Sequence, residues 1–279
     1  MLYQSMNTIA FFTTLNVIVL LWAGTLNNPF KALFALVREL ITVPRFLILF
    51  TAMAGILILN KYELQFEQEH FNYLKDFTPM IFQWEGFIVK HVQEFFHSTW
   101  LTPILAFFYL LVFQALIIGS IGVYLIQHNK TLVYATCYAI LINYAMAIPF
   151  FLLFPVNEIW SYQPAGVTFY MLEVFPNFES VYRPLSGLNN CFPSLHTSLS
   201  VTMAILAFRS GNKRWAIITG ISAALIIFSI FYLGIHWVSD MIAGVCLGIL
   251  ASTLGIYLGR LTHEKAISST NRKVTGKNV

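Results

Sequence analysis

Charge is what this sequence has least of. Of 279 residues only 10% are Asp, Glu, Lys or Arg, against about 25% in an ordinary soluble domain. Apolar residues make up 58% instead. They come in runs of about twenty, the length a helix needs to cross hydrocarbon about 30 Å thick. This excludes a soluble enzyme and a disordered chain. Cysteine is scarce as well. Cys137 and Cys246 lie inside apolar runs and Cys191 stands alone in a polar stretch, so there is no disulfide framework of the secreted kind. The net charge of +4 is distributed over run boundaries rather than along one soluble face, which argues against nucleic acid as a partner. The first apolar run lacks a basic leader and a small-residue cleavage site, so it reads as a retained helix and not a signal peptide.

Seven apolar runs are present, at 6–26, 44–60, 100–127, 131–154, 193–208, 216–234 and 241–259. They predict an all-α, polytopic membrane helix bundle: a six-helix core plus an extra N-terminal helix. The first run carries Asn7, Thr8, Thr13, Thr14 and Asn16, which would also suit a helix lying in the interface. Three parts are expected. Residues 1–45 hold the first span and a cytoplasmic amphipathic loop, 46–259 a membrane-embedded catalytic domain, and 260–279 a basic, disordered cytoplasmic tail.

Cytoplasmic loops retain Lys and Arg. Placing the tail in the cytoplasm and alternating backwards puts Lys31, Arg38, Arg45, Lys130, Arg209, Lys213, Arg214, Arg260, Lys265, Arg272, Lys273 and Lys277 on that side. Lys61, Lys75, Lys90 and Arg183 fall on the other, 4 against 12. Segments 61–99 and 155–192 then face away from the cytoplasm, in a cell membrane or an endomembrane. The first of them interleaves Phe77, Ile81, Phe82, Phe87, Phe95 and Phe96 with acids and lysines, the pattern of one or two interfacial helices or of a rim for lipid entry.

Ionisable groups near membrane spans are costly and usually functional. Two clusters stand at span ends on the non-cytoplasmic side. One is Cys191-Phe192-Pro193-Ser194-Leu195-His196-Thr197-Ser198. Pro193 suits a first helical turn, free N–H groups there favour an anion, and Ser194, Thr197 and His196 add side-chain donors. The other is His236 with Asp240, four residues on. On one helix face the carboxylate would accept the imidazole Nδ1 proton and leave Nε2 as nucleophile or base. Arg183-Pro184 supplies a permanent cation suited to phosphate oxygens.

In order and spacing, Arg183-Pro184, Pro193-Ser194-Leu195-His196 and His236 with Asp240 resemble the three signatures of the type-2 phosphatidic acid phosphatase superfamily, K-x6-R-P, P-S-G-H and S-R-x5-H-x3-D. Pro176 stands where the first Lys would be, Ile230 replaces the third-signature Arg after Ser229, and Leu195 replaces the Gly. Pro-Ser-Leu-His and Tyr232-Leu233-Gly234-Ile235-His236-Trp237-Val238-Ser239-Asp240 are similar to the inositol phosphorylceramide synthase-like branch, as, more faintly, is Phe154-Pro155 followed by Trp160. The resemblance implies a lipid phosphatase or phosphotransferase acting through a phosphohistidine. His236 would attack phosphorus, Asp240 would orient it, and His196 would protonate the leaving alcohol. Arg183, Ser194 and Thr197 would hold phosphate. It implies no cofactor and no metal, and as partners a phosphorylated lipid and a lipid acceptor within the membrane. Without the Lys and the second Arg the pocket is less cationic, which favours a phosphodiester and head-group transfer.

Two other readings stay open. His196, His236 and Asp240 would also suit a facial triad for a divalent ion. A transporter or scaffold is the non-enzymatic alternative, although no inverted repeat or midplane polar cluster supports it. Gly244, Gly248, Ser252 and Gly255 mark a close-packing seam in the last span, expected to be used within the chain.

Overall fold

The structure, a computed structural model, describes residues 5–70 and 76–275. Lys75 and Lys277 of the charge argument fall outside them. Among the described residues every regular element is helical, apart from one isolated bridge between Val156 and Asn190. The long elements are α1 (Met6–Thr25), α2 (Phe30–Thr42) and α3 (Pro44–His70). Two short helices follow, α4 (Thr78–Glu85) and α5 (Ile88–Phe96). Then come α6 (Leu101–Ile126), α7 (Lys130–Leu153), α8 (Leu195–Arg209), α9 (Lys213–Tyr232) and α10 (Val238–Thr275).

Six helical segments are long and apolar enough to cross a membrane: Met6–Thr25, Pro44–Tyr62, Leu101–Ile126, Lys130–Leu153, Lys213–Tyr232 and Val238–Ala266. The chain is a multi-pass membrane protein. The helix expected at 193–208 forms as α8, with 15 residues, or about 22 Å at 1.5 Å per residue. It is short because its N-terminus starts inside the bundle, at fully buried Ser194. Pro193 therefore precedes the cap instead of occupying the first turn.

Local chemistry sets the starts of these helices. Side-chain oxygens of Ser5, Asn129, Ser194 and Asn212 accept from backbone N–H groups of Thr8, Leu132, Thr197 and Trp215, capping α1, α7, α8 and α9. The first run forms a helix that packs into the bundle, against α6 and α9. Phe11, Leu15, Val19 and Trp22 of α1 point outward, Gly24 lies against the Trp215 ring, and Asn212 Nδ2 donates to the Gly24 carbonyl at 2.7 Å. In the segment expected to carry interfacial helices, α3 continues to His70 and two short helices, α4 and α5, follow Phe77. Past Gly259, where disorder is expected, α10 continues to Thr275. Arg260, Leu261, Glu264, Lys265 and Ala266 there are good helix formers.

α10 packs along α7 and α8, and the glycine seam makes this possible. A Cβ on Gly244 would lie 2.7 Å from the Ser194 carbonyl oxygen, and one on Gly255 2.7 Å from that of Ala135. The seam is intramolecular, as expected. At one end of the bundle Lys130 pairs with Glu39 at 2.9 Å and Thr131 meets His263 at 2.9 Å. The segment 155–192 and the α9–α10 turn meet at the other end.

Candidate active site

His236 lies in the turn between α9 and α10, before the helix begins at Val238. The turn is tight: Gly234 has φ +78°, and any Cβ there would run into the Thr168 carbonyl. Segment 155–192 ties itself to this turn through its backbone, with Ile159 N–H donating to the Ile235 carbonyl and Trp160 N–H to that of Gly234, both at 3.2 Å.

Asp240 stands in the first turn of α10 and is fully buried. Its Oδ2 accepts from Trp237 N–H at 2.9 Å and faces His236 Nδ1 at 3.2 Å. The contact expected from two positions on one helix face thus forms differently. The carboxylate reaches back over the helix start to a histidine in the preceding turn. Oδ1 of Asp240 is buried without a hydrogen-bond partner.

His196 is the second residue of α8. Its ring is sandwiched between Tyr109, at 4.0 Å between centroids and 13° between planes, and Phe113 at 4.2 Å. Both come from α6: Tyr109 lies in a π-helical stretch, Phe108–Val112, a wider turn often found at functional sites, and Phe113 follows it directly. His196 and His236 have ring centroids 6.4 Å apart, and His196 Nε2 is buried without a partner. Both histidines line a cavity of about 400 Å³. Its polar wall includes Tyr109, Gln114, Glu158 and Cys191, and its apolar wall runs out past Ile117 and Leu57.

The other expected residues are placed less openly. Arg183 donates to Glu158 at 2.7 Å, to both oxygens of Glu179 at 2.9 and 3.1 Å, and to the Gly187 carbonyl at 2.8 Å. Its guanidinium also lies over Phe178, 5.1 Å from the ring centre. Burial opposes its charge, but the two carboxylates more than compensate and hold its pKa above the ordinary arginine value. Ser194 serves as the cap of α8. Thr197 packs on Gly244, with a buried, unpartnered hydroxyl. The structure thus gathers His196, His236 and Asp240 at one place, with Arg183 and Ser194 held by other partners and the Thr197 hydroxyl unpartnered.

Four residues here had no motif to announce them. Glu158 lines the cavity; one of its oxygens is held by Arg183 and the other accepts Trp160 Nε1–H at 2.6 Å. Burial pushes its carboxyl pKa up, and Arg183 opposes this. Cys191 Sγ lies 3.3 Å from His236 Nδ1 and 3.3 Å from the Ile235 carbonyl oxygen. Burial, with Asp240 next, pushes that thiol well above its usual range. Glu85, at the end of α4, accepts from the N–H groups of Val238 and Ser239, both at 2.6 Å. Tyr109 is the fourth. In sequence the two acids were merely loop charges and Tyr109 one aromatic in an apolar run. Only the position of Cys191, two residues before Pro193, hinted at a role.

A sequence model of the PAP2 superfamily matches residues 79–254, more than half of the chain and every residue above except Leu57. No curated protein and no solved structure matches the chain. The chain belongs to the PAP2 superfamily, the type-2 phosphatidic acid phosphatases. It is accordingly a phosphatase-type lipid enzyme of the membrane.

Proposed function

We propose that this enzyme transfers a phospho-head group between lipids by way of a phosphohistidine, in the manner of the inositol phosphorylceramide synthase-like branch. The observation that carries the reading is the His236 ring, whose Nδ1 is held by buried Asp240 while the ring lines the same cavity as His196. An Nδ1–H that donates to the carboxylate leaves the Nε2 lone pair for phosphorus. Nε2 attacks, the phosphorus–oxygen bond to the leaving alcohol breaks, and His196 gives that oxygen a proton. In the second half His196 takes a proton from the acceptor hydroxyl. Its oxygen attacks phosphorus and the phosphorus–nitrogen bond breaks.

First-turn N–H groups of α8, at Leu195 and His196, have no partner within the helix and favour the phosphoryl oxygens. Thr197 adds its unpartnered hydroxyl, and Ser194 and Arg183 join when substrate displaces their resting contacts, with Arg183 exchanging a carboxylate for phosphate. Because Glu158 and Glu179 already balance Arg183, the site suits a phosphodiester with one negative charge better than a monoester with two. Positioning and fixed dipoles supply the catalysis, so turnover is expected to survive exhaustive chelation, and a metal-dependent mechanism predicts its loss. The site faces away from the cytoplasm, on the side poor in Lys and Arg.

The test is a lipidomic comparison of membranes incubated with wild type and with the His236→Ala protein. A new head-grouped lipid made only by the wild type supports transfer. Free phosphate released from a monoester, with no activity on diesters, would reject it. An unchanged rate in His236→Ala would reject the nucleophile itself.

A further inference from the structure

We propose that Cys191, His236 and Asp240 form a capture site for a soft divalent cation of the Zn²⁺ class, and that its occupancy switches the enzyme off. The inference rests on His236 being the nucleophile, and it is carried by geometry on the Nδ1 side of that ring. One ligand atom from each of the three residues lies within 4.8 Å of the other two, and all three residues are buried. Cys191 Sγ is 3.3 Å from His236 Nδ1, which is 3.2 Å from Asp240 Oδ2. In a tetrahedral zinc site, with Zn–S about 2.3 Å and Zn–N and Zn–O about 2.1 Å, ligand atoms lie about 3.6 Å (S to N) and about 3.4 Å (N to O) apart. Two of the three spacings therefore already fit a metal. Closing the third is a matter of moving the thiol or carboxylate by about 1 Å.

The second observation is Asp240 Oδ1, buried and without a hydrogen-bond partner, an acceptor that the His236 contact leaves unused. Thiolate with imidazole selects zinc-like ions over Mg²⁺ or Ca²⁺. The cavity offers the fourth position to water. Binding forms a metal–sulfur bond and releases the thiol proton to water. It also forms a metal–nitrogen bond at Nδ1, and the proton that sat there moves to Nε2. That tautomer has no lone pair at Nε2 with which to attack phosphorus. The cation thus inhibits by reversing the ring orientation that Asp240 maintains.

The probe is Co²⁺, then Zn²⁺, titrated into the full-length protein in detergent. The expected result is one equivalent of Co²⁺ with a sulfur-to-cobalt charge-transfer band, bleached by Zn²⁺. Zn²⁺ also inhibits turnover, and chelator restores it. Cys191→Ser loses the band and binds at least about tenfold more weakly, since even outer-shell changes cost that much; Cys191→Ala serves as the second variant, and melting curves establish that each is folded. An unchanged band or affinity in folded cysteine variants overturns the site. Full turnover by the zinc-loaded enzyme overturns the switch and counts against His236 as nucleophile. Absent cobalt binding with turnover lost in His236→Ala overturns the metal site alone.

Discussion

The two histidines are held in opposite ways, which fits the separate roles proposed for them. His236 is fixed by hydrogen bonds at Nδ1, whereas His196 is clamped by ring faces and has no partner at Nε2. Replacing Tyr109 by Ala removes one face of that clamp. It should lower the rate most for substrates with poor leaving groups, since protonation matters most for them; equal losses for activated and poor leaving groups would remove His196 from the acid role. Arg183 and Glu158 are a second residue-scale case, with side chains only 12% and 9% exposed. Breaking a buried pair by removing one partner costs about 3–5 kcal/mol. Glu158→Ala should accordingly lower the melting temperature sharply in detergent, and an unchanged melting curve would mean that the pair contributes nothing to the fold.

At the scale of elements, the catalytic geometry depends on where α10 begins. Glu85 fixes that point by accepting from two N–H groups at the helix start. In the proposed mechanism it acts only through Asp240, as a positioning residue. Glu85→Ala should cost about 0.5–2 kcal/mol of stability and lower kcat while leaving KM in place. Glu85→Gln, which still offers one acceptor, should recover part of the rate; a rise in KM instead would place Glu85 in substrate binding. The seam between α8 and α10 is a second control. A Cβ on Gly248 would lie 2.6 Å from the Ser198 carbonyl oxygen, so Gly248→Ala should destabilise by about 1–3 kcal/mol through overpacking. The check is thermal unfolding beside Gly55→Ala, where nothing lies within 4 Å.

For the whole molecule, the sparse charges sort by end. Glu39 with Lys130 and Thr131 with His263 mark one end of the bundle, and the histidine cavity lies toward the other. With the basic end cytoplasmic, a protease site inserted at 163–166 should be cut only from the non-cytoplasmic face of sealed vesicles; cleavage from the cytoplasmic face would invert the proposed topology. Much of this was legible in the chain alone. Seven apolar runs point to seven spans, and six of them form helices long and apolar enough to cross a membrane, because hydrocarbon tolerates no unpaired backbone. The spacing of Arg183, His196, His236 and Asp240 determines the family, because the same chemistry needs the same groups in the same order. Tertiary structure alone decided that α8 is short, that Arg183 is already balanced by two carboxylates, and that Glu85, Tyr109, Glu158 and Cys191 surround the histidines. Of these, Glu85, Tyr109 and Glu158 come from segments distant in sequence from both histidines. Contacts between distant segments are set by packing, and packing leaves no period or motif in the chain.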